Sequence, residues 1–144
     1  MTALVASVLM LTGCTGGSSR PNASINVAIQ DFRITPSLST IRPGAVALLV
    51  HDKGPSTHEF VIVRTDLPSD QLPLRPDGLR VDEDSPQLQR IDELSELDLG
   101  DRAQLIVSLS PGKYVFFCNL EGHYLGGMHA QLQVVAQSEG EPGA

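Results

Sequence analysis

Apolar and polar residues alternate over Ile25-Asn-Val-Ala-Ile29, so Ile25, Val27 and Ile29 share one face of a predicted strand. Phe32 and Ile34 keep an apolar side after a one-step slip, which predicts a bulge near Gln30 and Asp31. Pro36 and the turn Arg42-Pro-Gly44 bracket a second extended piece at 38–41. Residues 45–50 are almost wholly apolar, as expected of a central strand covered on both faces. Phe60-Val-Ile-Val63, Tyr114-Val-Phe-Phe117 and Leu132-Gln-Val-Val135 read as further buried strands. Residues 103–109 alternate cleanly, with Leu105, Val107 and Leu109 inward. Pro111-Gly112 then turns the chain, and Tyr114 just beyond is placed for a tyrosine corner, its hydroxyl tied to the preceding loop.

Residues 64–100 give the weakest pattern. Ser85-Pro86 can cap and begin a helix running to about Leu97, with Leu88, Ile91 and Leu94 on a stripe and Gly100 as its stop. An extended excursion fits the same residues equally well. The acidic run Asp82-Glu-Asp84 reads as a solvated face.

Composition sharpens the fold class. Ten Pro and thirteen Gly punctuate short Val/Ile/Leu runs in 144 residues, which points to one all-β sandwich or barrel domain. The formal charge of −7 argues against nucleic acid and for a soluble acidic surface or basic partners. No tract reaches the roughly 18 apolar residues of a membrane span. Residues 1–13 are apolar and uncharged and end Leu11-Thr-Gly-Cys14, similar to the lipobox of bacterial lipoproteins, in which the leader is removed and the Cys acylated. No Lys or Arg precedes it, so the true start of the leader is expected upstream. The expected organisation is a leader at 1–13, a lipid-anchored flexible tether at 14–24, a domain at 25–136 and a polar tail at 137–144.

The chemistry is concentrated in Cys118-Asn-Leu-Glu-Gly-His123-Tyr-Leu-Gly-Gly-Met128, where a thiol, an imidazole and a thioether recur every five residues. Strands before and after it place all three on a loop fixed at both ends. By alternation, Tyr114 and Phe116 share the face of Cys118 and Phe117 points the other way. His58 stands sixty residues upstream at the head of another strand. A Cys left without a disulfide partner in an exported chain is reactive, inert in the core, or a metal ligand; these neighbours favour the last. Two His, one Cys and a more distant Met are the donors of a mononuclear blue-copper site, in which thiolate and thioether suit Cu(I) and imidazole suits both oxidation states.

His58…Cys118-Asn-x-x-Gly122-His123-x-x-x-Gly127-Met128 resembles the cupredoxins. The four-residue gaps on either side of the loop His are like those of the auracyanin, rusticyanin and sulfocyanin branch. Leu109-x-Pro111-Gly112-x-Tyr114 and the His58-Glu-Phe60 strand start are also similar to small exported bacterial members. The resemblance spans about residues 25–135. It implies a Greek-key β-sandwich holding one type 1 copper ion, with His58, Cys118 and His123 as ligands and Met128 as the weak axial one. It also implies electron transfer through the exposed edge of His123, rimmed by Leu120, Tyr124 and Leu125, with His51, Asn119 and Phe60 standing behind the ligands. One departure is His51, placed where many relatives have an Asn that braces the copper loop; imidazole would brace it differently or compete as a ligand. His129 is expected at the surface, turned away from its neighbour Met128.

The leading functional expectation is a one-electron copper carrier on the outer side of a bacterial membrane, monomeric and meeting redox-partner proteins only briefly. The alternative is copper storage, delivery or detoxification. Against it, Met1 and Met10 fall in the leader and no second Cys lies near Cys118. An oxidase or reductase needs a second copper centre with its own His cluster, and four histidines supply none, so no enzymatic activity is expected.

Overall fold

The computed structural model describes residues 20–136. The leader, Cys14, most of the tether and the tail lie outside the described residues. Within them the chain forms nine strands: β1 (Ala23–Gln30), β2 (Arg33–Pro36), β3 (Thr40–Ile41), β4 (Gly44–Asp52), β5 (His58–Arg64), β6 (Gln89–Leu97), β7 (Arg102–Leu109), β8 (Gly112–Phe117) and β9 (His129–Val134). They make a sandwich of two sheets, one ordered β2-β1-β4-β7 and the other β3-β9-β8-β5-β6.

The alternation in β1 does what its period requires. Ile25, Val27 and Ile29 are buried between the sheets with Val46, Leu48 and Val50 of β4, facing Phe60, Ile62, Tyr114, Phe116 and Leu132 from the other sheet. Each such side chain contributes about 1.5–3 kcal/mol by leaving water. The slip after Ile29 is a hairpin turn and not the expected bulge. β1 pairs antiparallel with β2, Gln30 opposite Arg33 and Ile29 opposite Ile34, and Phe32 takes φ +58° in the turn. β1 also runs parallel to β4, so the chain must cross to the second sheet through β3 before returning.

One expectation about covering changes. β4 is central, but its outer face is only partly covered: Ala47 is buried and Leu49 is exposed. β5 is the strand covered on both faces: Phe60, Val61, Ile62 and Val63 are all fully buried. Its outer face, with Val115 and Phe117 of β8, is sealed by residues 65–88, a strap that contributes Leu72, Val81 and Leu88 to a second, smaller core.

Of the two readings of the segment from Ser85 to Leu97, the extended one holds: among the described residues there is no helix, and β6 runs as an edge strand beside β5. The reason is visible in the register. Phe60 pairs with Leu94 and His58 with Leu97, while Ile62 pairs with Asp92 and Val63 with Arg90, so β6 carries an extra residue at each of two shifts. Those bulges stretch a period of two to three, and Ile91, Leu94 and Leu97 reach the core from a strand. The tyrosine corner is present: Tyr114 Oη donates to Ser110 O at 2.8 Å.

Candidate metal centre

Three connections meet at one end of the sandwich: the β1–β2 turn, the loop from β4 to β5, and the loop from β8 to β9. His58 is the first residue of β5 and Cys118 follows directly on β8. The 118–128 loop closes on itself, with Cys118 N–H donating to Met128 O at 3.1 Å and Met128 N–H to His123 O at 3.1 Å. This closure brings Cys118 Sγ to 3.6 Å from His123 Nδ1. The His123 ring lies edge-on to that of His58, with centroids 5.3 Å apart. Met128 is fully buried in the same core cluster as Cys118. The structure therefore draws His58, Cys118 and His123 together from sixty residues apart, and Met128 is buried in the core cluster that also holds Cys118.

Each donor has a defined electrostatic setting. The Glu59 N–H donates to Cys118 Sγ at 3.4 Å, an interaction that favours the thiolate. Burial outweighs it and pushes the Cys118 thiol above its ordinary pKa. Burial, helped by the neighbouring His58, lowers the pKa of His123 and keeps its imidazole neutral near pH 7. His58 has no exposed surface, and both its ring nitrogens are engaged. Nδ1 lies 3.0 and 2.9 Å from the two oxygens of Asp52, and Nε2 lies 3.0 Å from Asp31 Oδ1. Among the described residues no three His, Cys, Asp or Glu side chains form a ready-made ion cage. The donor set of imidazole, thiolate and thioether fits copper in kind. For a metal to reach His58, one carboxylate must yield its place on the ring.

Asp52 and Asp31 were not among the expected site residues. Asp52 is wholly buried and also accepts from Gly54 N–H at 2.6 Å, so the side chain of β4 that contacts His58 is that of Asp52 and not of His51. His51 faces the other side of the sheet, where partial burial and the charges of Arg102 and Lys53 lower its pKa. The position of Asp52 six residues before His58, in Asp52-Lys-Gly54, was a legible signal. Asp31 had none, because only the β1–β4 register carries it to the site.

The remaining expectations divide. Phe60 is core, its ring 5.1 Å from that of Phe116. Asn119 is buried, but it faces the strap: its Oδ1 accepts from Val81 N–H at 2.7 Å and its Nδ2 donates to Glu83 Oε1 at 2.6 Å. Leu125 is exposed and Leu120 half-buried, as a rim requires. Tyr124 is not part of that rim. It is 4% exposed, and its hydroxyl donates to Ser69 O at 2.8 Å and accepts from Leu72 N–H at 2.9 Å. Phe32 takes its place, half exposed with its ring 5.6 Å from that of His123. His129 is only half at the surface, its ring packed 5.2 Å from Tyr124 and its Nδ1 3.1 Å from Ser69 Oγ.

Two mixed sheets and a Cys/His loop at one end are the architecture of the cupredoxins, and the chain has that fold. Reduced auracyanin from Roseiflexus castenholzii superposes with a TM-score of 0.58 at 22% identity, covering 81% of this chain and 99% of that one. Reduced rusticyanin gives 0.55 at 14% identity over 81% and 82% of the two chains. Auracyanin A, a "blue" copper protein from Chloroflexus aurantiacus, gives 0.52 at 15% identity over 78% and 99%. No protein-family model matches the sequence, and neither does any curated protein.

Proposed function

We propose that this protein is a type 1 copper electron carrier. The observation that carries the reading is the convergence of Cys118 Sγ, His123 Nδ1 and the His58 ring at the loop end of a cupredoxin sandwich. A copper ion held there supplies one-electron Cu(I)/Cu(II) chemistry. The residues of the chain do the rest. Cys118 gives up its proton to bind, and the Glu59 N–H stabilises the resulting charge on sulfur. One of Asp52 and Asp31 keeps its hydrogen bond to the imidazole of His58 and orients it, while the other gives up its ring nitrogen to the metal. Met128, buried in the same core cluster as Cys118, would supply a weak thioether donor and tune the potential more than the affinity. Electrons enter at the partly exposed His123, within a rim of Phe32, Leu120 and Leu125 that suits brief contact with a redox partner.

A carrier is favoured over a protein that stores or delivers copper because His58, Cys118 and Met128 have no exposed surface from which to hand a metal on. No catalytic role is included in the proposal. Export, anchoring through acylated Cys14, a monomeric state and a partner-facing position outside a bacterial membrane complete it.

The test is the optical and paramagnetic-resonance spectrum of the copper-loaded protein. An intense visible band from thiolate-to-Cu(II) charge transfer is expected, and Cys118→Ser abolishes it. A colourless copper complex, or a band that survives Cys118→Ser, removes the reading.

A further inference from the structure

Each of the three loop donors is followed by a residue tied to the strap at 65–88. After Cys118, the Asn119 amide accepts from Val81 N–H at 2.7 Å and donates to Val81 O at 3.2 Å and Glu83 Oε1 at 2.6 Å. After His123, the Tyr124 hydroxyl bridges Ser69 O at 2.8 Å and Leu72 N–H at 2.9 Å. After Met128, His129 Nδ1 shares a hydrogen bond with Ser69 Oγ at 3.1 Å. Between them, Gly122 N–H donates to Leu79 O at 3.0 Å. The ties recur at the spacing of the donors themselves.

The strap is built to hold. Leu72 and Val81 are buried against Val61, Val63 and Phe117. Its turns are closed by Arg75 N–H to Arg80 O at 2.9 Å, Asp82 N–H to Pro73 O at 2.8 Å and Thr65 Oγ1 to Gln87 O at 2.9 Å. It leaves from the end of β5, the strand that begins with His58, and returns as β6 beside the same strand. One packed and hydrogen-bonded segment thus links the strand of the distant donor to the residue after every donor on the loop. A loop fixed only at β8 and β9 would be free to follow the metal's preferences between oxidation states. A loop fixed beside each donor is not.

We propose that the strap is the outer half of the metal centre, and that Asn119, Tyr124 and His129 are positioning residues that set the places of Cys118, His123 and Met128. This rests on the copper reading above. Tyr124→Phe removes the hydroxyl and keeps the ring, and Ser69→Ala removes only the His129 tie, so neither empties the core. In the metal-free protein, Ser69→Ala, which loses one hydrogen bond, is expected to speed amide hydrogen exchange across 119–128 by up to roughly tenfold, and Tyr124→Phe, which loses two, by more. Amides of β4 and β7 are expected to stay unchanged. In the copper-loaded protein, the reduction potential and the copper hyperfine splitting are expected to move in both variants. If wild type shows the thiolate band and both variants match it in exchange, potential and splitting, the clamp is overturned while the copper reading stands. If exchange quickens but potential and splitting do not move, the ties are structural only and the positioning role is overturned. If wild type shows no thiolate band, the copper reading falls and the positioning role falls with it.

Discussion

His51 and Asp52 are adjacent on β4 and face opposite ways, so one step of strand parity decides which of them meets His58. Asp52 grips Nδ1 from the interior, while His51 lies over Ala28 and Arg102 on the open face. The sequence marks the loop as braced, but the parity at a strand end is fixed only by pairing with β1 and β7. Removing Asp52 leaves a buried imidazole and the Gly54 N–H without their partner. Asp52→Ala is therefore expected to cost about 2–4 kcal/mol and His51→Ala less than about 0.5 kcal/mol, in urea unfolding of the metal-free protein. Equal losses would return the brace to His51. Cys118 supplies a second test at this scale. Burial raises its thiol pKa, so near neutral pH a metal must displace a proton to bind sulfur. Copper affinity is expected to rise roughly tenfold per pH unit below that raised pKa, measured by competition with a chromophoric chelator. His123, lowered and already neutral, adds a second proton only at more acid pH, where the dependence steepens. A flat profile near neutrality would mean that sulfur is not a donor.

The strands whose side chains alternate without interruption, β1 and β7 above all, are legible from their period, and so is the tyrosine corner at Tyr114. The 118–128 loop is legible because three residue types, Cys, His and Met, at fixed spacing have few other uses. β6 is not, since a bulged strand and a helix place apolar residues at similar intervals and only the register with β5 separates them. Glu96 sits in one of those bulges with φ +55°, a backbone region that penalises any residue with a Cβ. Glu96→Gly is expected to raise stability by about 0.5–1 kcal/mol, followed as an increase in Tm. In a helix the same change would lower stability by about 1 kcal/mol, so the sign of the shift distinguishes the two structures.

The whole molecule separates contact from steering. The end that carries His123 is apolar where it protrudes, with Phe32, Leu125 and Leu99 among the exposed large side chains. Phe32 reaches His123 because position 126 is glycine; a Cβ there would lie 2.2 Å from the Phe32 ring. Leu99 packs over Gly54, whose carbonyl accepts from Asp31 N–H, which fixes it at the same end. The charge of −7 belongs to the chain as a whole and acts at longer range. A short-range apolar rim and a long-range negative field answer to different variables. Salt screens the field, with a Debye length of about 8 Å at physiological ionic strength, and leaves apolar contact untouched. Stopped-flow electron transfer with the copper-loaded protein is therefore expected to speed up with added salt for an anionic metal complex and slow down for a cationic one. Phe32→Ala is expected to change the rate with a protein partner at every salt concentration while leaving the salt slope as it was. Rates indifferent to the sign of the small reactant would mean that the net charge does not steer, and a slope that changes with Phe32 would mean that contact and steering are not separable at this end.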